Sequence, residues 1–287
     1  MRVLLPVDGS ANSLIAATAL KHLGGLEEVV VLHALDLPSL AYPIGRPEVD
    51  LAIPLQVEKA LREDGERILE KAIAGLPKEI PSVENRLETG SAPDVIVDLA
   101  DRDHIELIVM GARGLSPLQE ALLGSVSHAV VSHAPCPVLL VREPVHGLRR
   151  ILVPLQGPVD ARAAAHFLEK KPFGASVDVT LVHVLPYEMP MWPGGLPEAK
   201  AHSQAATQEA REFLGGVVQE LVGAKIPATF KLLSGRAQLA IVEELRTGSY
   251  DVAVLGTRRR GVVKRLFLGS VSHAVVHHTR CPVLILP

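Results

Sequence analysis

Short apolar runs alternate with longer amphipathic segments along the whole chain. The first run, residues 3–7, ends at an Asp-Gly-Ser turn and is typical of a buried strand. Residues 10–22 then place apolar side chains at helical spacing, with Ser10 as a suitable cap and Gly24-Gly25 as the stop. The same criteria predict strands at 29–33, 83–87, 105–110 and 137–141, and helices at 55–75, 92–102 and 125–133.

The second half of the chain repeats this pattern. Nine residues at 123–131, Leu-Gly-Ser-Val-Ser-His-Ala-Val-Val, recur unchanged at 268–276, and Cys-Pro-Val-Leu follows both copies. The copies lie 145 residues apart, far beyond the about 20–50 residues of a solenoid repeat, so each is a whole domain. The predicted domains are 1–145 and 149–287, joined by a short polar linker near 142–149. Strands of the second copy are predicted at 151–155, 177–183, 228–233, 251–255 and 282–286, with a long helix at 198–222. Pro-rich loops are predicted at 36–54 and 185–197.

The alternation of strands and helices predicts the fold class. It implies parallel strands joined by right-handed crossovers, so we expect an α/β protein of two tandem doubly wound open-sheet domains, each with a five-stranded parallel sheet. Hydrophobic residues make up 48% of the chain and aromatic residues only 3%, which suits a Val, Leu, Ile and Ala core covered by helices on both faces. Ligands of such sheets bind beyond the carboxyl ends of the strands, where strand order reverses.

Composition excludes several classes of function. The net charge of -3 argues against a nucleic-acid or membrane-surface partner, and no apolar run approaches the ~20 residues of a spanning helix. The N-terminal apolar run reaches an acidic turn too early for a signal peptide, so we expect a cytoplasmic protein. Cys136 and Cys281 occupy equivalent positions and are expected to be inert buried thiols. The histidines show no zinc-site spacing, and His128, His133, His273 and His278 are expected to have structural or surface roles.

The loop after the fourth strand carries the candidate chemistry. It has the form G-x2-G-x9-G-S, with Gly111, Gly114, Gly124 and Ser125 at the fixed positions and a capped turn predicted at 116–119. Glycines let a ligand lie against the backbone, and a Gly-Ser pair that opens a helix offers free N–H groups to an anion, above all a phosphate. Ordinary turns and caps also use glycine and serine, but the recurrence of these residues while other loops have drifted favours a function.

The chain resembles the universal stress protein family in its tandem form. The resemblance covers nearly all of the sequence and rests on the Val-Asp-Gly-Ser turn at 7–10, the strands ending in His33 and His183, the glycine motif and the closing Cys-Pro-Val-Leu strand. It implies ATP, with or without Mg²⁺, and pairing of the two halves through their last strands. The implied contacts for adenine are Pro6, Val7, Asp8 and Ala34, and those for ribose and phosphates are Met110, Gly111, Arg113, Gly114, Gly124, Ser125 and Val126.

The second copy departs from this motif at two positions. Gln156 replaces Asp8, and Arg259 replaces Gly114 within a basic run that also contains Arg258, Arg260, Lys264 and Arg265. Arginine supplies charge and a two-pronged donor for phosphate, although its side chain fills space where backbone contact was open. The second site therefore either binds ATP through side-chain charge or is a degenerate partner, and we favour binding at both sites. Its predicted residues are Pro154, Leu155, Gln156, Val184, Leu255, Gly256, Arg258, Arg259, Gly269, Ser270 and Val271.

Three functions remain open on the sequence alone. The favoured one is an ATP-binding stress-response module that regulates unknown protein partners by nucleotide-dependent contacts. The second is a slow ATPase or phosphotransfer protein, with Asp8 helping to hold a metal and Ser125 near the γ-phosphate. The third is a structural interaction protein without nucleotide. The chain has no Walker lysine motif and no nucleophile elbow, so no catalytic residue and no resident metal site are predicted, and association into a homodimer stays open.

Overall fold

The structure is a computed structural model that describes residues 1–37, 52–112, 123–174, 176–186, 196–259 and 266–287. Side chains are described for all of these except 52–55, 196–203, 258–259 and 266–267. Several predictions fall outside these ranges: the loop positions Arg113 and Gly114, the turn at 116–119, most of both Pro-rich loops, and the basic residues 260–265.

The first half forms the predicted alternation of strands and helices. In chain order it consists of β1 (Arg2–Pro6), α1 (Ala11–Ala16), β2 (Glu28–Leu35), α2 (Ala52–Ala74), β3 (Ser82–Thr89), α3 (Ala92–Arg102), β4 (Leu107–Gly111), α4 (Ser125–His133) and β5 (Val138–Val141). The predicted first helix is only partly right, because Ala17–His22 is a 3₁₀-helix. The Thr18 hydroxyl donates to the Ile15 carbonyl at 2.6 Å, a local bond that competes with regular α-helical pairing.

The second half repeats the order and adds one small element. It consists of β6 (Arg150–Pro154), α5 (Pro158–Glu169), β7 (Asp178–Leu185), α6 (Leu196–Gly223), β8 (Ala228–Ser234), α7 (Ala237–Thr247), β9 (Val252–Gly256), β10 (Arg258–Arg259), β11 (Leu266–Phe267), α8 (Ser270–His278) and β12 (Val283–Leu286). The antiparallel pair β10–β11 was not predicted. It lies in the basic loop, which in this half carries β-favouring residues such as Phe267.

All the strands except β10 and β11 form one ten-stranded sheet in the order β3-β2-β1-β4-β5-β12-β9-β6-β7-β8. In this sheet every pairing within a half is parallel, which confirms the predicted doubly wound five-stranded sheets. Strand order reverses between β1 and β4 in the first half and between β6 and β9 in the second. These two switch points are where this class of sheet places its ligands.

The halves meet through an antiparallel contact between β5 and β12, as the family resemblance implied. Leu139 lies opposite Leu284, its own equivalent 145 residues later, so a pseudo-two-fold axis passes between them. A second contact obeys the same symmetry: the Gly24 amide donates to the Pro172 carbonyl at 2.9 Å, and the Gly174 amide donates to the His22 carbonyl at 2.9 Å. The tandem chain therefore reproduces within one molecule the isologous contact of a symmetric dimer.

The linker differs from the polar connection that was predicted. Val145 and Leu148 are only 7% and 2% exposed and belong to the core. The Val145 amide donates to the Thr18 hydroxyl at 2.9 Å, and the His22 ring donates to the Val145 carbonyl at 3.1 Å. The linker is thus packed onto the first half, because two apolar side chains in it gain more from burial than from exposure.

The cysteines are only partly as predicted. Cys136 is buried, and that burial raises the pKa of its thiol to about 12, so it stays neutral. Cys281 is only partly buried by its accessible surface, which corrects the expectation of two fully buried thiols. Burial also raises the pKa of the Cys281 thiol, which lies 3.2 Å from the Thr279 hydroxyl. Both thiols are therefore protonated and poor nucleophiles at neutral pH.

Asp251 links the start of β9 to the start of β6, and its replacement gives a pH-dependent prediction. Its carboxylate accepts hydrogen bonds from the Arg149 and Arg150 amides at 3.1 and 2.9 Å and from the Arg150 guanidinium at 2.7 Å. Burial raises the pKa of Asp251, but these hydrogen bonds outweigh it and hold the pKa below its usual value. The stabilisation is therefore present above the unfolded pKa of about 3.9 and is lost as pH falls through the folded pKa.

We expect Asp251→Asn to lower the free energy of unfolding at pH 7 by about 1–2 kcal/mol, since charge-assisted bonds are weakened. The deficit relative to the wild type should be smaller at pH 3 than at pH 7, because the stabilisation begins to be lost below the unfolded pKa of about 3.9 and goes on falling towards the lower folded pKa. Urea titrations at both pH values measure this, with Asp178→Asn as the control because Asp178 is exposed. A deficit of equal size at both pH values would contradict the assignment.

Candidate functional site

The first cavity lies at the switch point of the first half, at the carboxyl ends of β1, β2 and β4. Its volume is about 290 Å³. All nine predicted contact residues of this half that the structure describes line it: Pro6, Val7, Asp8, Ala34, Met110, Gly111, Gly124, Ser125 and Val126. The other two, Arg113 and Gly114, lie outside the described residues. Ser13, Leu32, His33, Ala92, Ile96 and Ser127 complete the lining.

Asp8 is held in the turn after β1 by its own neighbours. Its Oδ1 accepts from the Ser10 amide at 3.0 Å and from the Ser10 hydroxyl at 2.6 Å, while the Asp8 amide donates to the Ser13 hydroxyl at 3.3 Å. Gly9 makes the turn possible with a φ of 79°, a region that favours glycine. Among the described residues Oδ2 of Asp8 accepts no hydrogen bond, so this oxygen is available to a ligand that donates.

His33 fixes the turn after β1, and His183 fixes the equivalent turn after β6. The His33 Nδ1 lies 2.7 Å from the Val7 carbonyl, and the His183 Nδ1 lies 2.9 Å from the Leu155 carbonyl. A carbonyl oxygen only accepts, so Nδ1 carries the proton in each ring and Nε2 of the neutral ring is the acceptor. Both rings line their cavities, which agrees with the predicted position of each histidine at a strand end beside the pocket.

The start of α4 forms one end of the first cavity. Gly124 is the N-cap and has no side chain with which to cap the first-turn N–H groups. The Gly124 amide donates to the Ala112 carbonyl at 2.9 Å, and the Ser127 hydroxyl donates to the Gly111 carbonyl at 2.9 Å. These two bonds fix the helix start against the end of β4. The first turn of α4 and the positive end of its dipole therefore lie at the cavity, an arrangement that favours an anion.

The second cavity occupies the equivalent switch point and is larger, at about 870 Å³. Nine of the predicted residues line it: Pro154, Leu155, Gln156, Val184, Leu255, Gly256, Gly269, Ser270 and Val271. The remaining two, Arg258 and Arg259, form β10, and their side chains lie outside the described part of the structure. Gly269 caps α8 in the same way that Gly124 caps α4.

Two charged residues of the second cavity were missed by sequence reasoning. Oδ2 of Asp160 accepts a hydrogen bond from the backbone amide of Gln156 at 2.9 Å. A Cβ added at Gly256 would lie 3.1 Å from Oδ1 of Asp160. Arg236 lines the cavity from the start of α7. A position-by-position comparison of the two copies would have found both, since they stand where the first copy has Asn12 and Ser91.

The histidines outside the cavities do not build a metal centre within the described ranges. No group of three or more His, Cys, Asp and Glu side chains suited to a metal occurs there. His133 is structural, because its Nδ1 donates to the Ala129 carbonyl at 2.8 Å. The ring of His273 stacks on that of His277, with centroids 4.1 Å apart, a pair at four-residue spacing that the sequence analysis did not consider.

Each half has a doubly wound sheet, a glycine-capped helix and a cavity at the switch point, so the chain is a tandem α/β protein with two candidate ligand sites. A sequence model of the universal stress protein family matches residues 1–142 and again residues 147–287. The chain belongs to the universal stress protein family, a family of stress-response proteins, and carries two copies of its domain.

Individual relatives agree with this assignment. The chain is similar to a universal stress protein of Mycobacterium bovis, with 28% identity over 226 residues, 76% of this chain and 72% of the relative. It is 35% identical over 142 residues to one of Thermus aquaticus, which is 49% of this chain and 97% of the relative. The crystal structure of a universal stress protein from Archaeoglobus fulgidus shares the fold, with a TM-score of 0.70, 24% identity and coverage of 99% and 97%. No helix in the described ranges has the length and hydropathy needed to cross a membrane.

Proposed function

We propose that this protein is an ATP-binding module with one nucleotide site in each half, and that the bound nucleotide regulates its contacts with protein partners in the cytoplasm. The observation that carries the proposal is that residues from distant parts of the chain meet at one cavity. Residues from the ends of β1, β2 and β4 and from the start of α4, far apart in sequence, line a single cavity at the switch point. An apolar cavity beside a glycine-capped helix start suits a nucleotide, whose base is largely apolar and whose phosphates are anionic.

The residues of the first cavity fit the parts of ATP. Pro6, Val7 and Ala34 supply apolar surface for the adenine, and Asp8 supplies a carboxylate oxygen to a donor group of the base or ribose. The phosphates would lie at the N–H groups of Ser125 and Val126. A bound Mg²⁺ would neutralise phosphate charge, and Asp8 is the only carboxylate among the described lining residues that could join it.

The contact between the halves could transmit an effect of nucleotide binding in the first half to the surface of the second half. β11 of the second half packs against α4 of the first half, whose N-terminus is the proposed phosphate site. An anion bound there would change the position or stability of α4, and β11 belongs to the basic loop of the second half. This contact supports the proposal that a nucleotide bound in the first half influences the basic loop of the second half.

A slow ATPase is the second candidate. It is favoured by the exposed Ser125 and by Oδ2 of Asp8, which accepts no hydrogen bond from the described residues. Fast hydrolysis needs a metal, a positioned water and charge at the leaving oxygen, and the described residues supply only part of that set. Phosphate release above background that is abolished by Asp8→Ala would establish it. Release at the background rate leaves the binding module as the function.

Two measurements test the proposal directly. Mass spectrometry of small molecules released from the denatured protein should identify an adenosine nucleotide that co-purifies with it. Titration calorimetry of the nucleotide-free chain with ATP and MgCl₂ should give two bound nucleotides per chain, or one if the second site is degenerate. Absence of any bound nucleotide in the first experiment, together with no heat up to millimolar ATP in the second, would overturn the proposal.

A further inference from the structure

Asp160 is the one carboxylate among the described residues that line the second cavity. It lies in the first turn of α5 and is half-buried. Its Oδ2 accepts a hydrogen bond from the backbone amide of Gln156 at 2.9 Å, which holds the carboxylate beside the turn after β6. Its Oδ1 accepts no hydrogen bond from the described residues. Since a carboxylate oxygen only accepts, Oδ1 is available to a ligand group that donates.

Gly256, the last residue of β9, places this oxygen at the switch point. A Cβ built on Gly256 would lie 3.1 Å from Oδ1 of Asp160, so the absence of a side chain at residue 256 leaves the oxygen uncovered on this side. The Gly256 carbonyl accepts a hydrogen bond from the Ser272 hydroxyl in the first turn of α8, at 3.3 Å. Asp160 therefore joins the ends of β6 and β9, and Gly256 connects it to the start of α8.

The first cavity takes its carboxylate from a different position. Asp8, in the turn after β1, lines that cavity, whereas Asn12, which stands where the second half has Asp160, does not. The Asp8 amide donates to the Ser13 hydroxyl at 3.3 Å, while the equivalent amide of Gln156 donates to Asp160. Each cavity thus contains one carboxylate with an oxygen that no described residue engages, although the two carboxylates come from different elements.

The two ends of the second cavity indicate which part of a nucleotide Oδ1 of Asp160 can reach. Apolar residues at the ends of β6 and β7, among them Pro154 and Val184, suit a base, and the start of α8, capped by Gly269, suits a phosphate. Ribose joins the base to the phosphates, and Asp160 lies between these ends through its contacts with the turn after β6 and with Gly256. Ribose hydroxyls donate, and acidic residues bind them in the dinucleotide sites of other doubly wound sheets.

We propose that Asp160 makes the second site selective for ribonucleotides over deoxyribonucleotides, with its Oδ1 accepting a hydrogen bond from a ribose hydroxyl. The proposal rests on the nucleotide function above and names the residue that determines specificity at the second site. A hydroxyl that donates to an ionised carboxylate forms a charge-assisted bond, which is stronger than a bond between neutral groups. A deoxy analogue lacks the donor, so it loses this bond while keeping its base and phosphates.

Calorimetry of the full chain with ATP, 2′-deoxy-ATP and 3′-deoxy-ATP, each with MgCl₂, tests the selectivity. The titrations use Gly124→Val, a variant in which only the second site is expected to bind nucleotide. We expect at least one deoxy analogue to bind about tenfold more weakly than ATP, since one charge-assisted hydrogen bond is lost. The analogue that binds more weakly identifies the hydroxyl that Asp160 accepts from. Equal affinities for the three nucleotides would overturn the proposal.

Asp160→Ala in the same chain should abolish the preference, because the affinity for ATP falls to that of the weaker deoxy analogue. The matched control is Asp160→Ala in Gly269→Val, where only the first site is expected to bind. There the substitution should leave all three affinities unchanged. Circular dichroism verifies that both double variants are folded.

The ratio of the affinities separates a contact with ribose from a structural effect. A preference that survives Asp160→Ala would overturn the proposal. An equal loss for ATP and both analogues would overturn it as well, because the carboxylate would then act on Mg²⁺ or on the local fold. If ATP binds without any preference over the analogues, only this inference fails. If no nucleotide binds to the wild-type chain, the proposed function itself fails.

Discussion

Gly124→Val is expected to abolish nucleotide binding at the first cavity while leaving the fold intact. The valine methyl groups would stand at the N-cap of α4, where a phosphate must approach the first-turn N–H groups. We expect an affinity loss of more than about 100-fold, since the displaced phosphate loses several charge-assisted hydrogen bonds. Gly124 has a φ of -63° and a ψ of 153°, values that any residue adopts, so backbone strain does not account for the effect.

Calorimetry with ATP measures this as a loss of one bound nucleotide per chain. Gly269→Val is the matched control, because Gly269 caps α8 with a φ of -60° and a ψ of 163°. It should remove the second site and spare the first. If Gly124→Val has the circular dichroism spectrum of the folded protein and still binds the same number of nucleotides per chain, the nucleotide does not bind at the glycine-capped helix.

Gly24→Ala should lower the stability of the protein markedly, because it disrupts the contact between the halves. A Cβ at Gly24 would lie 2.8 Å from the Phe173 carbonyl oxygen and 2.9 Å from that of Lys171. Both are backbone atoms, so relief requires the halves to move apart and the bond from Gly24 to the Pro172 carbonyl to lengthen. We expect the free energy of unfolding to fall by about 1–3 kcal/mol, the range for overpacking.

Urea denaturation followed by circular dichroism measures the change as a shift in midpoint. Gly215→Ala is the control, because Gly215 lies within α6 and an added Cβ there meets nothing within 4 Å. It should raise stability by about 0.5–1 kcal/mol through helix propensity alone. A Gly24→Ala protein as stable as the wild type would show that the contact between the halves is looser than described.

The parts of the fold that depend on local periodicity were predictable from the sequence. The helices α3 and α4 begin and end where predicted, and the ends of the core strands agree within two residues. Each of these elements is specified by its own apolar pattern and by its capping residues. Most residues of both cavities were predicted from a motif that occurs twice in the chain. The structure brings together nine of the predicted residues in each cavity. ATP as their ligand stays a proposal.

The features that were missed depend on contacts between distant segments. Val145 and Leu148 are buried because the first half packs over the linker, which the composition of the linker does not reveal. Asp160 and Arg236 reach the second cavity from α5 and α7, and no local motif marks them. The predicted domain limits, 1–145 and 149–287, stay a prediction, since the packed linker joins the two halves closely.

The central claim is that a glycine-capped helix start in each half binds the phosphates of an adenosine nucleotide. A crystal structure of the full chain grown with millimolar ATP tests it most directly. The account predicts phosphate density at the N–H groups of Ser125 and Val126, with the base beside Val7 and Ala34. Only solvent at the starts of both α4 and α8 under these conditions would contradict it.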